Sequence, residues 1–226
     1  MQRTKLADRV LPNYTKGEEI FNMTSHIVGG VFATAALTLC VAFAAAHGNV
    51  WGVVSGAIYG VTMILLYTMS SIYHGLSPKW TATAKKVFQV IDHCSIYFLI
   101  AGTYTPITLC AVRPINETLG WTIFGVVWAM AALGVTLTAI DLKKYRIFSM
   151  VSYLGMGWCI IVAFGPMVDA FGWGPMALLL AGGAAYTVGA VLYGLGKKIR
   201  YMHSVFHLFV LAGSILQLLM ILMYLM

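Results

Sequence analysis

The chain has 226 residues, 60% of them hydrophobic and 9% charged. An ordinary globular chain is about 25% charged, so these few charges could not cover a water-facing surface, and a cytosolic enzyme, a secreted disulfide scaffold, a coiled coil and a disordered tail are excluded. The formal net charge of +7 does not imply nucleic acid; what matters is where the bases lie, and they lie between apolar runs.

A spanning helix needs roughly 20 mostly apolar residues. Seven such runs follow one another, over 23–46, 51–73, 87–111, 119–140, 147–167, 175–195 and 203–225. The expected fold is an all-α, polytopic seven-transmembrane-helix bundle. No run alternates as a barrel strand would. The first run is preceded by bases and ends in Ala44-Ala45-Ala46, but it is longer than a signal-peptide core and reads as a retained helix. Residues 1–19 are expected to form a polar cytoplasmic tail and 20–226 one membrane domain, since every break is too short for a soluble module. Gly29-Gly30 and Gly182-Gly183 are expected at close helix contacts, and Pro106 is expected to kink the third span.

The bases set the orientation. Thirteen of the 14 lie on alternate sides of the runs: Arg3, Lys5, Arg9 and Lys16; Lys79, Lys85 and Lys86; Lys143, Lys144 and Arg146; Lys197, Lys198 and Arg200. Arg113 is the exception. The positive-inside rule then places the N-terminus in the cytoplasm and the C-terminus outside, opposite to the G-protein-coupled receptors. The four cysteines, Cys40, Cys94, Cys110 and Cys159, lie in apolar stretches without a C-x-x-C pair and read as packed thiols.

Ionisable groups within spans are costly and mark function by default. Here they are His74, Asp92, His93, His203 and His207, with His26 at the start of the first span. With the spans threaded in alternating directions, all six fall near the cytoplasmic leaflet. His203 and His207 are one turn apart and share a helix face. With His74 at the same depth they suggest a three-histidine site, an arrangement that leaves a fourth position open on zinc or another borderline metal. Ser70 lies one turn before His74 and faces the same way; the competing reading is a back-bond to its own helix. Asp92 needs a partner, either a metal or its water, or an interfacial base such as Lys85 or Lys86. His93 points about 100° away from Asp92, given 3.6 residues per turn, and is expected to face another neighbour. His47 lies in an outer break.

The stretches S-S-I-Y-H (70–74), I-D-H-C-S-I-Y-F-L-I-A-G-T-Y-T-P (91–106) and H-S-V-F-H (203–207), with G-E-E-I-F-N-M-T-S-H-I-V-G (17–29) before them, resemble the bacterial hemolysin III family. That family belongs with the progestin and adipoQ receptors, and alkaline ceramidases are more distant relatives. The resemblance covers nearly the whole chain. It implies a seven-helix fold with a cytoplasmic N-terminus and a zinc site near that face. His74, His203 and His207 would be the ligands, Asp92 would hold or activate water at the metal, and Ser70 matches the serine of the S-x-x-x-H pattern. It also implies a bacterial inner-membrane location.

Two functional readings stay open. One is a Zn²⁺-dependent hydrolase of lipid amides or esters, with Asp92 and Ser70 as its catalytic side chains. The other is a non-enzymatic sensor of membrane state with a structural zinc. Both make membrane lipids the partner and suit a role in membrane lipid homeostasis. A pore or an ion transporter would need polar stripes or mid-membrane carboxylates, which spans one, four, five and six lack.

Overall fold

A computed structural model describes residues 4–196 and 198–226, so Arg3 and Lys197 of the charge count lie outside the described residues. The described residues form helices and turns and no strand. Seven helical spans are long and apolar enough to cross a membrane: α1 (Lys16–Ala46), α2 (Val50–Gly75), α3 (Thr81–Ile115), α4 (Glu117–Asp141), α5 (Arg146–Phe171), α6 (Trp173–Leu195) and α7 (Met202–Tyr224). All seven coincide with the apolar runs of the sequence.

The helix starts follow local chemistry. Thr15 caps α1 in a reciprocal box with Glu18: the Thr15 hydroxyl accepts from Glu18 N–H, and the Glu18 carboxylate accepts from Thr15 N–H. Such a box satisfies two orphan donors at once. Lys16–Glu19, grouped with the tail in the sequence, are therefore the first turn of α1. Asn49 and Asn116 cap α2 and α4 through their side-chain oxygens.

Two spans change helical type partway. α3 is α-helical to Pro106 and π-helical over Ile107–Val112. Proline has no N–H to give the carbonyl four residues back, and the register resumes with wider bonding, as at other proline sites. The expected disturbance at Pro106 is thus a change of helix type. α5 tightens to a 3-10 stretch over Cys159–Ala163 and restarts at Phe164. Pro166 then sits in a first turn, where its missing donor costs nothing.

Successive spans pack side by side, and α7 closes the ring against α1. α3 is the inner strut: 78% of its apolar window is buried, against 22–28% for α1, α4, α5 and α6. The outer faces carry valine, isoleucine and leucine, as a hydrocarbon surround requires. Small residues allow the inner contacts. A Cβ at Gly29 would run into the Tyr67 ring, one at Gly182 into Gln217, and one at Gly102 into Thr62.

One end of the bundle gathers the start of α1 and the α2–α3, α4–α5 and α6–α7 connections, with nearly all the bases; we call it the basic end. The N-terminal segment is tied to it. Thr4 N–H donates to Asp141 at 2.7 Å, and Lys86 Nζ donates to the Ala7 carbonyl at 2.6 Å. Tyr201 begins α7 in the left-handed region, at φ 62°, and its N–H donates to Glu18 Oε1 at 2.7 Å. That bond offsets a conformation unfavourable for a side chain with a Cβ.

Candidate metal centre

The last turn of α2 brings His74 to the basic end, and the first two turns of α7 bring His203 and His207. All three are buried, and one ring nitrogen from each lies within 4.8 Å of the others. The Nε2 atoms of His203 and His207 are 3.2 Å apart. Two nitrogens bound to one tetrahedral zinc at about 2.0–2.1 Å would be separated by about 3.3 Å. The helical spacing therefore already presents two ligands at the right separation.

The donor set suits a metal ion in a second respect. His74 Nδ1 lies 2.7 Å from Glu19 Oε2. A carboxylate there makes Nδ1 the protonated nitrogen and leaves a lone pair on Nε2. His74 Nε2 is buried and has no hydrogen-bond partner. Such an orphan costs about 1–3 kcal/mol unless a partner fills the site, and an ion is the partner that a lone pair wants. This three-histidine cluster can hold a metal ion.

His26 completes the layer without joining the triad. Its ring stacks on His207 at a centroid distance of 3.8 Å and meets Tyr67 edge-on. Both its nitrogens are buried and unpartnered. On the tail side, the Tyr14 ring stacks on His203 at 4.8 Å and lies 5.7 Å from His74. Burial raises the Tyr14 phenol above its ordinary pKa, so this cover is an uncharged one.

Asp92 and Ser70 line a cavity together with His26, His203 and His207. Ser70 is buried and lines the cavity together with Asp92, which favours a site-facing serine over a purely back-bonded one. Asp92 pairs with neither Lys85 nor Lys86. Lys85 goes to Glu19, and Lys86 to the Ala7 carbonyl. His93 Nδ1 lies 3.8 Å from Asp92 Oδ2. His93 is itself occupied elsewhere: Nδ1 donates to the Gln89 carbonyl at 2.8 Å, and Nε2 meets the Tyr193 hydroxyl at 3.2 Å. It faces a different neighbour, as its position on the helix predicts. His47 bonds the Phe43 carbonyl in an exposed connection and is far from the site in the chain's topology.

The cavity has a volume of about 600 Å³, within the usual range for a small-molecule site. It runs from the histidine layer between α3, α5, α6 and α7 towards Tyr104 and Gln217. Its far wall is apolar. Ile147, Val151 and Val191 line it while being 70%, 66% and 60% exposed. Side chains that line a cavity and also face outward mark an opening, so the cavity opens sideways between α5 and α6, where the bundle would meet hydrocarbon.

Sequence reasoning did not assign Glu19, Asn22, Lys85 or Tyr14 to the site. A signal for the first two exists: Glu19, Asn22 and His26 stand at i, i+3 and i+7, one polar stripe at the head of an apolar helix. Lys85 has no such mark and reads as an ordinary interfacial base.

The family model described as "Haemolysin-III related" matches residues 14–218. The "Hemolysin-3 homolog" of Bacillus subtilis (strain 168) is 39% identical over 201 residues, covering 89% of this chain and 91% of that protein. "Hemolysin-3" of Bacillus cereus is 38% identical over 208 residues, covering 92% and 91%. More distantly, the human "Monocyte to macrophage differentiation factor" is 29% identical over 167 residues, covering 73% of this chain and 67% of its own length. No solved structure matches the chain with significance.

Proposed function

The chain belongs to the haemolysin-III related family, and from that premise we propose that it is a zinc-dependent hydrolase of lipid amides or esters, serving membrane lipid homeostasis in a bacterial inner membrane. One observation carries the reading: His203 and His207 of a buried three-histidine centre line, with Asp92 and Ser70, an apolar cavity that opens sideways. A head group near the histidines and an acyl chain leaving between α5 and α6 would fit that shape. The distribution of bases supports a cytoplasmic N-terminus and an outer C-terminus.

His74, His203 and His207 would hold the ion. When bound, zinc polarises a carbonyl and makes coordinated water acidic enough to ionise near neutral pH. Asp92 orients the attacking water, accepts its proton as a general base, and returns it to the amine or alcohol that leaves as the acyl C–N or C–O bond breaks. Ser70 donates a hydrogen bond to the oxygen that gains charge as the carbonyl is attacked. The apolar wall excludes bulk water and seats the chain. The cluster contains no carboxylate among the described residues. Structural zinc sites are usually closed by a fourth protein ligand, whereas catalytic ones keep a position open, so the donor set favours catalysis over a purely structural ion.

The test begins with the metal content of detergent-purified protein. About one zinc per chain is expected in the wild type and in Asp92→Ala, and none in His203→Ala. Vesicles containing N-acyl and O-acyl lipids then report hydrolysis, which wild type should perform and Asp92→Ala should not. Zinc lost in Asp92→Ala, with no hydrolysis by wild type, would instead favour the non-enzymatic sensor with a closed structural site. A wild-type protein without zinc would sink both.

A further inference from the structure

Glu19, half-buried, and Lys85, buried, form a chain behind His74. Glu19 Oε2 is 2.7 Å from His74 Nδ1, and Glu19 Oε1 accepts from Lys85 Nζ at 2.7 Å. Lys85 is 1% exposed. It also donates to the carbonyls of Tyr73 at 3.1 Å and Leu76 at 2.9 Å, at the end of α2. An ammonium has three N–H donors, and here each has an acceptor. The cation also lies where the carbonyl end of a helix favours positive charge.

Buried ion pairs contribute little net stability, because desolvation offsets their attraction. This pair has another consequence. His74 Nδ1 has two neighbours of opposite character. Glu19 is an acceptor, whereas Asn22 Nδ2, at 3.5 Å, is a donor. If Glu19 prevails, the proton sits on Nδ1 and Nε2 offers a lone pair. If Asn22 prevails, Nδ1 must accept, the proton moves to Nε2, and the ring cannot ligate through it. The distances favour Glu19, and Lys85 keeps Glu19 in place.

We propose that Glu19 and Lys85 are positioning residues of the metal centre, selecting the His74 tautomer that can bind the ion and coupling α1 and α3 to a ligand set carried by α2 and α7. The proposal rests on the metal reading above and adds residues to it. Carboxylates behind metal-bound histidines elsewhere raise affinity by 10–100-fold.

The experiment is zinc–chelator competition on the full-length purified protein. Glu19→Ala should weaken zinc by about 10–100-fold and Lys85→Met by about tenfold, as expected for outer partners of a ligand. Glu19→Gln, which keeps the packing volume, should fall between wild type and Glu19→Ala. The distinguishing readout is the double variant Glu19→Ala/Asn22→Leu. Removing the competing donor should recover part of the lost affinity. A Glu19→Gln protein and a Glu19→Ala protein that both bind zinc as tightly as wild type would overturn the proposal while leaving the metal reading intact. So would an affinity loss matched by a lower unfolding temperature of the metal-free protein and not recovered by Asn22→Leu, which is the signature of packing alone. Wild-type protein that binds no zinc would overturn the metal reading itself, and the positioning role with it.

Discussion

The cavity has two walls of opposite construction. On the side of α2, α3 and α7, Ser70, Asp92, His203 and His207 line the cavity, and behind them Glu19 of α1 bridges His74 and Lys85. On the side of α5 and α6, aromatic and small residues alternate with aliphatic ones, and Ile147, Val151 and Val191 line the cavity while open to the outside. The first wall is costly to assemble, because each buried polar group needs a partner. The second costs little, because in hydrocarbon an exposed valine is already solvated. A precise centre therefore stands opposite a loose portal.

Substitutions should separate the two walls, and the largest effects belong to the polar one. His207→Ala removes a ligand and should abolish zinc retention, read as metal content after purification. Asp92→Asn keeps the shape but removes the base. It should keep zinc and lower lipid hydrolysis by about 10²–10⁴-fold, the usual contribution of a general base. A variant as active as wild type would remove Asp92 from the chemistry. Ser70→Ala should lower the rate by about 10²-fold or less, near the lower range for a single oxyanion donor, with little change in the amount of substrate needed for half-maximal rate.

The apolar wall should answer differently. Val151→Trp fills the opening between α5 and α6. Zinc content should stay at the wild-type level, while hydrolysis of long-chain lipids falls several-fold and that of a short-chain soluble ester changes less. Equal losses on both substrates would argue that the opening is not the route. The smallest expected change is at Val126, on the lipid-facing side of α4 and 54% exposed. Val126→Leu should leave metal content and activity unaltered.

The seven spans were legible because crossing hydrocarbon demands length and apolarity, which are local properties of a chain. Their family was legible because the motifs at 70–74, 91–106 and 203–207 recur in order. The candidate ligands could be listed for a related reason: an imidazole or a carboxylate in an apolar run is conspicuous. Asp92 was conspicuous in the same way, but its partner was not. Lys85 looked available from seven residues away, yet the fold directs it to Glu19 on another helix.

The sequence by itself determined the number of spans, the layer where polar groups collect and the face shared by His203 and His207. All of these depend on helical rise and periodicity, which neighbours along the chain dictate. Only the tertiary structure decided that α1 sets Glu19 behind His74, that Tyr14 covers His203, and that α5 and α6 stand apart to open a cavity beside Asp92. Those outcomes depend on how separate helices pack, and residues 55 positions apart, as His74 and Glu19 are, carry no local mark of the partner they will meet.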